Sequence, residues 1–182
     1  MPTLLKEDLK NILELSKKNK YVYEYFVETG TYMGETILRY IDDFKKSYTI
    51  ELSESLYNDF NKKDYDRNKL KSILGDSSKK LKEVIDELHG NTIFFLDGHF
   101  SSCGTAKGDK DVPLYEEIKS INDNFKYESI IIIDDLRLFG SNITEDWSDI
   151  TKEKMLDLLT ERVETFFESN DRFIITIKQK NN

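Results

Sequence analysis

The sequence predicts a doubly wound α/β fold, in which helices cover both faces of a mostly parallel sheet. Segments with strand character alternate with helical segments almost without exception along the chain. The segment SIIIIDDL at 129–136 is apolar on both faces, as a central parallel strand must be. The 182 residues, of which 38% are hydrophobic, suit one domain with a sizeable core. We therefore expect a single domain over residues 1–182.

Hydrophobic periodicity and end signals place the elements in order. A leading helix is expected within residues 1–20, a cofactor and metal core over 21–136, and a C-terminal helix and strand over 137–182. The strands are predicted at 21–29, 47–52, 70–76, 91–98, 129–136 and 172–180. The helices are predicted at 3–18, 34–44, 54–63, 77–90, 111–125 and 151–169, with Ser53 and Asp111 as N-caps and Gly90 as a C-terminal stop.

Composition limits the classes of partner and the compartment. The formal net charge is -8 and no basic stripe is present, so a nucleic-acid ligand is disfavoured. The one cysteine, Cys103, excludes an intramolecular disulfide and favours a reducing compartment. No signal peptide is recognisable, and no apolar run approaches the roughly 20 residues of a membrane span. The sequence predicts a soluble cytoplasmic protein without a membrane partner, and leaves open whether it forms a homodimer.

Acidic residues stand at the carboxyl end of each of the first five predicted strands. In doubly wound sheets, ligands bind outside these ends, near the point where the strand order reverses. Clustered carboxylates are costly there unless hydroxyls, amides, cations or metals pair with them. The acids concerned are Glu28, Glu51, Asp76, Asp97, Asp134 and Asp135.

The turn after the first strand favours a nucleoside-containing cofactor. Gly30 and Gly34 permit a tight turn, but their spacing is not the GxGxxG of a dinucleotide site, and no P-loop lysine follows. Glu51 lies 23 residues after Glu28, where a doubly wound site places the acid that binds ribose hydroxyls. Asp76, after the third strand, could accept a hydrogen bond from an adenine amino group.

The segments VETGTYMGET, TIEL and GDSS resemble the cofactor-binding motifs of class I S-adenosylmethionine-dependent methyltransferases. The pattern E-x-G-T-Y-x-G-x-T is similar to that of the catechol and caffeoyl-CoA O-methyltransferases, and the resemblance spans roughly residues 22–136. It implies a Rossmann-like class I methyltransferase fold with S-adenosylmethionine as cofactor. In that family Glu28, Gly30 and Gly34 would line the methionine part, and Glu51 would hold the ribose. The remaining cofactor-binding residues implied are Thr31, Tyr32, Thr36, Asp76, Ser77 and Asp97.

The acids after the fourth and fifth strands resemble the divalent-metal triad of metal-dependent O-methyltransferases. The nearest branch is the macrocin O-methyltransferase-like family, which methylates sugar hydroxyls. The resemblance implies that Asp97, Asp134 and Asp135 bind the metal and that His99 is the general base. The chemistry agrees, because carboxylate oxygens and waters suit Mg²⁺, and a metal can acidify a hydroxyl whose proton an imidazole accepts. Asp134 and Asp135 are adjacent and converge only if the chain turns at once.

We therefore expect a metal-dependent O-methyltransferase that acts on a hydroxyl of a sugar or glycan. One alternative is a phenol or catechol acceptor, for which Tyr32, Phe100 and Phe139 are candidate pocket walls. Another is a nucleoside-binding module without catalysis, against which the intact acids and His99 argue.

Three further features are interpreted with alternatives. The loop SSCGTAKGDKD at 101–111 suits a lid over the acceptor, and catalysis by Cys103 is disfavoured. Trp147 either lines an acceptor pocket or packs against the following helix. Class I methyltransferases usually end in an antiparallel strand pair. Only the strand at 172–180 is evident, so a second one either lies within 136–150 or is absent.

Overall fold

The computed structural model describes residues 3–99, 106, 108, 110–143 and 145–180. The helices are α1 (Lys6–Leu15), α2 (Glu35–Tyr40), α3 (Glu54–Asn61), α4 (Ser77–Ile85), α5 (Leu114–Asn124) and α6 (Lys152–Leu159). The strands are β1 (Tyr25–Thr29), β2 (Lys46–Glu51), β3 (Leu70–Leu74), β4 (Thr92–Leu96), β5 (Ser129–Ile133), β6 (Val163–Ser169) and β7 (Arg172–Ile177). Short 3₁₀ turns cover Lys20–Val22, Leu136–Leu138 and Thr160–Arg162.

The strands form one sheet in the order β3-β2-β1-β4-β5-β7-β6. The first five strands are mutually parallel, whereas β7 is antiparallel to both β5 and β6. Thr29 at the end of β1 pairs with Ile50 and with Leu96, so the carboxyl ends of the central strands are level. The strand order reverses between β1 and β4, which is where an open α/β sheet offers a crevice for ligands.

Helices cover both faces of the sheet, as the sequence predicts. Alternate β5 residues face opposite sides: Ile131 packs with α4, α5 and α6, and Ile132 packs with α1, α2 and α3. All five β5 side chains are fully buried, which explains why this strand is a continuous apolar run. The doubly wound fold class is confirmed.

The predicted helix over 151–169 is wrong in its second half. The helix ends at Leu159, where Thr160 adopts a positive φ of 45°, and β6 begins at Val163. Asn170 and Asp171 have φ values of 46° and 62°, as a two-residue hairpin turn between β6 and β7 requires. The second C-terminal strand therefore exists, but it lies outside the 136–150 interval. Its signal is Asn-Asp between two runs of aromatic and β-branched residues.

Two predicted helix signals serve other contacts. α4 ends at Ile85, and Gly90 instead packs against Glu24, whose carboxylate oxygen would lie 2.3 Å from a Cβ at this position. Asp111 does not cap α5, which begins at Leu114; its carboxylate accepts a hydrogen bond of 3.3 Å from the Asp146 backbone N–H. In the part of the chain that the structure describes, no helix combines the length and apolarity needed to cross a membrane.

Candidate active site

The site lies at the carboxyl edge of the sheet, where the neighbouring strands β1 and β4 end. The Gly30 backbone N–H bonds to the Ile50 carbonyl (2.9 Å), and the Asp97 N–H bonds to that of Thr29 (3.2 Å). Gly30 has a φ of 81°, and a Cβ there would lie 2.3 Å from the Asp97 carbonyl oxygen. Only glycine therefore lets these two strand ends approach each other so closely.

Two adjoining cavities open at this edge, and together they contain all ten predicted cofactor-binding residues. Both are lined by Gly30, Tyr32 and Asp97. The first is also lined by Glu51, Asp76 and Ser77, together with His99. The second is also lined by Glu28, Thr31, Gly34 and Thr36. The fold thus brings together residues that the sequence separates by up to 69 positions.

Glu51 and Asp76 each hold backbone groups as well as facing the first cavity. Glu51 accepts hydrogen bonds from the N–H groups of Tyr32 and Ser53, both at 2.8 Å. Asp76 caps α4, since its Oδ1 accepts from the Ser78 N–H (2.9 Å) and hydroxyl (2.6 Å). A carboxylate has about four acceptor positions, so these contacts leave capacity for a ligand.

Glu28 lines the second cavity and is 2% exposed. It accepts a hydrogen bond of 2.7 Å from the Thr49 hydroxyl, which is 2.7 Å from that of Thr31. Burial raises the pKa of Glu28 to about 8, and the negative charge of Glu51 adds to this effect against the opposing Thr49 bond. Glu28 is therefore mostly protonated near neutral pH.

Asp97, His99 and Asp135 form a compact cluster beside the cavities. One potential ligand atom from each lies within 4.8 Å of the other two. His99 Nε2 is 3.2 Å from Asp135 Oδ2, and His99 Nδ1 is 3.6 Å from Asp97 Oδ1. Asp135 reaches the cluster because the chain turns there, with a φ of 58°, immediately before the 3₁₀ turn Leu136–Leu138. The chain thus turns immediately after Asp134, as the convergence of two adjacent aspartates would require.

The structure pairs Asp134 with a different group. Its Oδ1 is 3.1 Å from Arg172 Nε, and Arg172 also contacts Asp8 at 3.2 Å. Asp134 is not among the three residues whose ligand atoms cluster. Burial raises the pKa of Asp97 well above the usual range, and the nearby negative charge of Asp134 raises it further.

The donor set fits a hard cation. Asp97 Oδ1, Asp134 Oδ1 and Asp135 Oδ1 are buried and have no hydrogen bond of good geometry from any described residue. Two of these oxygens lie in ion pairs, since Arg172 Nε is 3.1 Å from Asp134 Oδ1 and Arg137 Nη1 is 2.5 Å from Asp135 Oδ1. Burial raises the pKa of Asp134 to about 6, and the Arg172 charge opposes this. Burial lowers the pKa of His99 although Asp135 and Glu145 oppose it, so the imidazole is neutral near pH 7. Buried carboxylate oxygens and a neutral imidazole are groups that a divalent metal can bind.

Trp147 packs against His99. The sequence-based alternatives for Trp147, an acceptor pocket or packing against the following helix, do not include this contact. The two rings meet edge to face at 5.0 Å, and the indole N–H donates to Glu145 at 3.2 Å. Phe139 stacks on Trp147, with ring centroids 5.9 Å apart. Trp147 is 1% exposed, so it supports the imidazole and leaves no open face for a sugar. Arg172 is the first residue of β7, and no sequence pattern indicates that it pairs with Asp134.

The predicted lid loop is described only in part. Phe100 and Cys103, and thus the interpretations that concern them, lie outside the described residues. Ala106, Gly108 and Lys110 line the first cavity, and a Cβ on Gly108 would lie 3.3 Å from Asp76 Oδ2. The described part of this loop therefore borders the predicted adenine side of the site.

Comparison by sequence finds no match, either to a protein family or to a curated protein. Comparison of structures does find similar folds. TomG is an O-methyltransferase from Streptomyces achromogenes involved in tomaymycin synthesis, solved with S-adenosylmethionine. It is 13% identical, with 96% of this chain and 81% of that chain covered and a TM-score of 0.63.

Two further structures extend the comparison. The S-adenosylhomocysteine-bound Podospora anserina methyltransferase PaMTH1 is 18% identical over 100% of this chain and 80% of that chain, with a TM-score of 0.60. An rRNA methylase from Streptococcus thermophilus is 17% identical over 88% and 89% of the two chains, with a TM-score of 0.51. One of the three is an rRNA methylase and another an O-methyltransferase of tomaymycin synthesis, so the similarity concerns architecture alone. The chain has the Rossmann-like fold of the class I S-adenosylmethionine-dependent methyltransferases.

Proposed function

We propose that this protein is an S-adenosylmethionine- and divalent-metal-dependent O-methyltransferase whose acceptor is a hydroxyl of a sugar or glycan. The observation that carries the proposal is the cluster of Asp97, His99 and Asp135 at the edge of the cofactor cavities. A methyltransferase that needed only to bind its cofactor would have no use for two carboxylates and a histidine gathered beside it, because bringing such acids together out of water is costly. The single cysteine supports a reducing compartment, and we place the enzyme in the cytoplasm.

In this proposal, the residues around the two cavities bind the cofactor. Glu51 accepts from the ribose hydroxyls, and Asp76 and Ser77 face the adenine. Glu28, with Thr31 and Thr36, lines the methionine part. Because Glu28 is held protonated by burial, it contributes a hydrogen-bonding group without adding a negative charge beside the acidic cluster.

Asp97, Asp134 and Asp135 would hold the metal, and His99 would accept the proton from the acceptor. When bound, Mg²⁺ would lower the pKa of the acceptor hydroxyl, and the cofactor would supply the methyl group. Neutral His99 can take up a proton, and Asp135 at 3.2 Å from its Nε2 stabilises the charged imidazolium. Trp147 keeps the imidazole in this orientation.

Calorimetric titration of S-adenosylmethionine and of Mg²⁺ tests the proposal. We expect the wild type to bind both, and Asp97→Asn and Asp135→Asn to weaken Mg²⁺ binding by about tenfold or more. Asp134→Asn tests whether Asp134 binds the metal. Weaker Mg²⁺ binding would make Asp134 a ligand, and unchanged Mg²⁺ binding would leave it only the ion pair with Arg172. Asp123→Asn, which removes an exposed acid on α5, is the matched control. Cofactor binding without any metal binding would refute the metal mechanism, and binding of neither would refute the methyltransferase assignment.

His99→Gln separates the base from a metal ligand. If His99 is the base, the His99→Gln variant should lose activity by about 100-fold or more and retain Mg²⁺ binding. Loss of Mg²⁺ affinity would instead make His99 a ligand. Turnover of a panel of free sugars, glycosides and catechols identifies the acceptor class, and a preference for catechol would contradict the sugar proposal.

A further inference from the structure

Glu117 is a buried acid directly behind the site, and the proposed chemistry gives it no role. It lies in the first turns of α5 and is 0% exposed. Neither of its carboxylate oxygens has a hydrogen bond of good geometry within the described ranges, and the same holds for the Thr29 hydroxyl. Burying such a group without partners is unfavourable, and a leucine would fill a similar space at less cost.

Three parts of the site meet around this carboxyl group. A Cβ on Gly98, between Asp97 and His99, would lie 3.2 Å from Glu117 Oε1 and 3.0 Å from the Thr29 hydroxyl oxygen. Burial raises the pKa of Glu117 to about 7, and the nearby Ser77 and Thr29 hydroxyls act against this. Thr29 ends β1, Ser77 begins α4 and lines the first cavity, and Gly98 lines it too. The end of β1, the start of α4 and the turn after β4 thus converge on Glu117.

We propose that Glu117 is a positioning residue for the cofactor: with Thr29 and Ser77 it forms a polar brace that fixes Gly98 beneath the nucleoside. The brace acts through Ser77 and Gly98, which line the first cavity, since Glu117 itself has no exposed surface. The Ser77 and Thr29 hydroxyls lie near enough to oppose the rise in the pKa of Glu117 that burial causes, so the three side chains are neighbours. The inference deepens the proposed function and rests on it, because the ligand concerned is S-adenosylmethionine.

The test compares S-adenosylmethionine affinity with thermal stability in matched variants. Glu117→Leu should bind the cofactor about 10-fold more weakly without a lower Tm, since it removes a buried polar group and not packing. Glu117→Gln, which keeps polar atoms in place, should stay within about 3-fold of the wild type. Asp123→Asn on the exposed face of the same helix is the control and should change neither quantity. Undiminished binding by Glu117→Leu would overturn the proposal.

Thr29→Val tests the brace independently, because it removes only the facing hydroxyl. It should weaken binding by about 3-fold, and the double variant should be no weaker than Glu117→Leu alone. Independent, multiplicative effects would show that the two residues do not act together. If Glu117→Leu melts well below the wild type, Thr29→Val decides: weaker binding at an unchanged Tm supports the brace, and unchanged binding overturns it. Absence of binding by the wild type would refute both the brace and the proposed function, whereas equal binding by all variants refutes the brace alone.

Discussion

At the residue scale, the site depends on carboxyl groups whose protonation burial controls. Glu28 and Glu117 are removed from water and keep their protons toward neutral pH, with pKa values raised to about 8 and about 7. Asp97 lies beside Asp134 and Asp135, whose charges oppose its ionisation. A bound cation would reverse this balance, since its positive charge favours the ionised form of each ligand. Without a cation, Arg172 and Arg137 offset part of this repulsion through ion pairs with Asp134 and Asp135.

Glu28 gives a pH dependence of stability that can be measured. An unfolded glutamate ionises near pH 4.5, whereas the buried one ionises near 8. Between these values the folded state keeps a proton that the unfolded state releases, so stability falls as pH rises. The decrease approaches roughly 1.4 kcal/mol per pH unit from this group alone, and ends above its folded pKa.

We expect Glu28→Gln to flatten this dependence. Its free energy of unfolding, from urea denaturation at pH 5 and pH 8, should decrease less between the two values than that of the wild type. Other buried acids titrate in the same window, so the comparison uses the difference between the two proteins. Equal pH dependence in both would show that Glu28 is ionised in the folded state.

At the element scale, the β6–β7 hairpin completes the sheet and positions a site residue. Arg172 begins β7 next to the turn and pairs with Asp134 from there, while Asp171 accepts from the Arg137 N–H at 2.8 Å. Thr165 and Thr176 form a cross-strand hydroxyl pair at 2.8 Å. The turn thus couples the outer strands to the acids after β5.

The hairpin turn tolerates only residues that accept a left-handed backbone. Asn170→Val places a β-branched residue at a φ of 46°, and should lower stability by about 1–2 kcal/mol. Asn170→Gly loses the same hydrogen bond to Asp8 but has no such strain, so it is the matched control. Thermal unfolding of both variants measures the effect, and equal Tm values would show that the turn imposes no such constraint.

At the scale of the whole molecule, charge restricts the acceptor more than fold does. Structures of this fold include an rRNA methylase, so architecture alone does not exclude nucleic acid. The net charge of -8, however, opposes the approach of a phosphate backbone. A small or uncharged hydroxyl-bearing acceptor agrees with both the charge and the acidic site.

We therefore expect no appreciable affinity for RNA. In fluorescence anisotropy at physiological salt, binding of a short RNA hairpin should be weaker than about 100 μM, the upper range of non-specific binding. Tight binding that weakens steeply with added salt would contradict this expectation and would favour an RNA acceptor.

The local pattern of the sequence was sufficient for the fold class, and it predicts that the acids after separate strands meet at one edge of the sheet. Parallel strands bring their carboxyl ends to one edge, so acids such as Glu51 and Asp97 that follow separate strands must lie near one another. The alternation of strands and helices likewise predicts helices on both faces. The segment from Val163 to Ser169 fits both a helix and a strand, and its pairing with β7 decides between them, because strand pairing is not local.

Only the tertiary structure decided which side chains contact one another. The turn at Asp135 brings its carboxylate to His99, whereas Asp134 faces Arg172. This difference between two adjacent acids depends on the left-handed backbone conformation of Asp135. Trp147 against His99 and Glu117 beneath Gly98 join segments far apart in the chain. The sequence determined which chemical groups reach the edge of the sheet, since strand order and direction set that. Backbone turns and packing determined their pairing, because contact distances of a few ångströms depend on the whole fold.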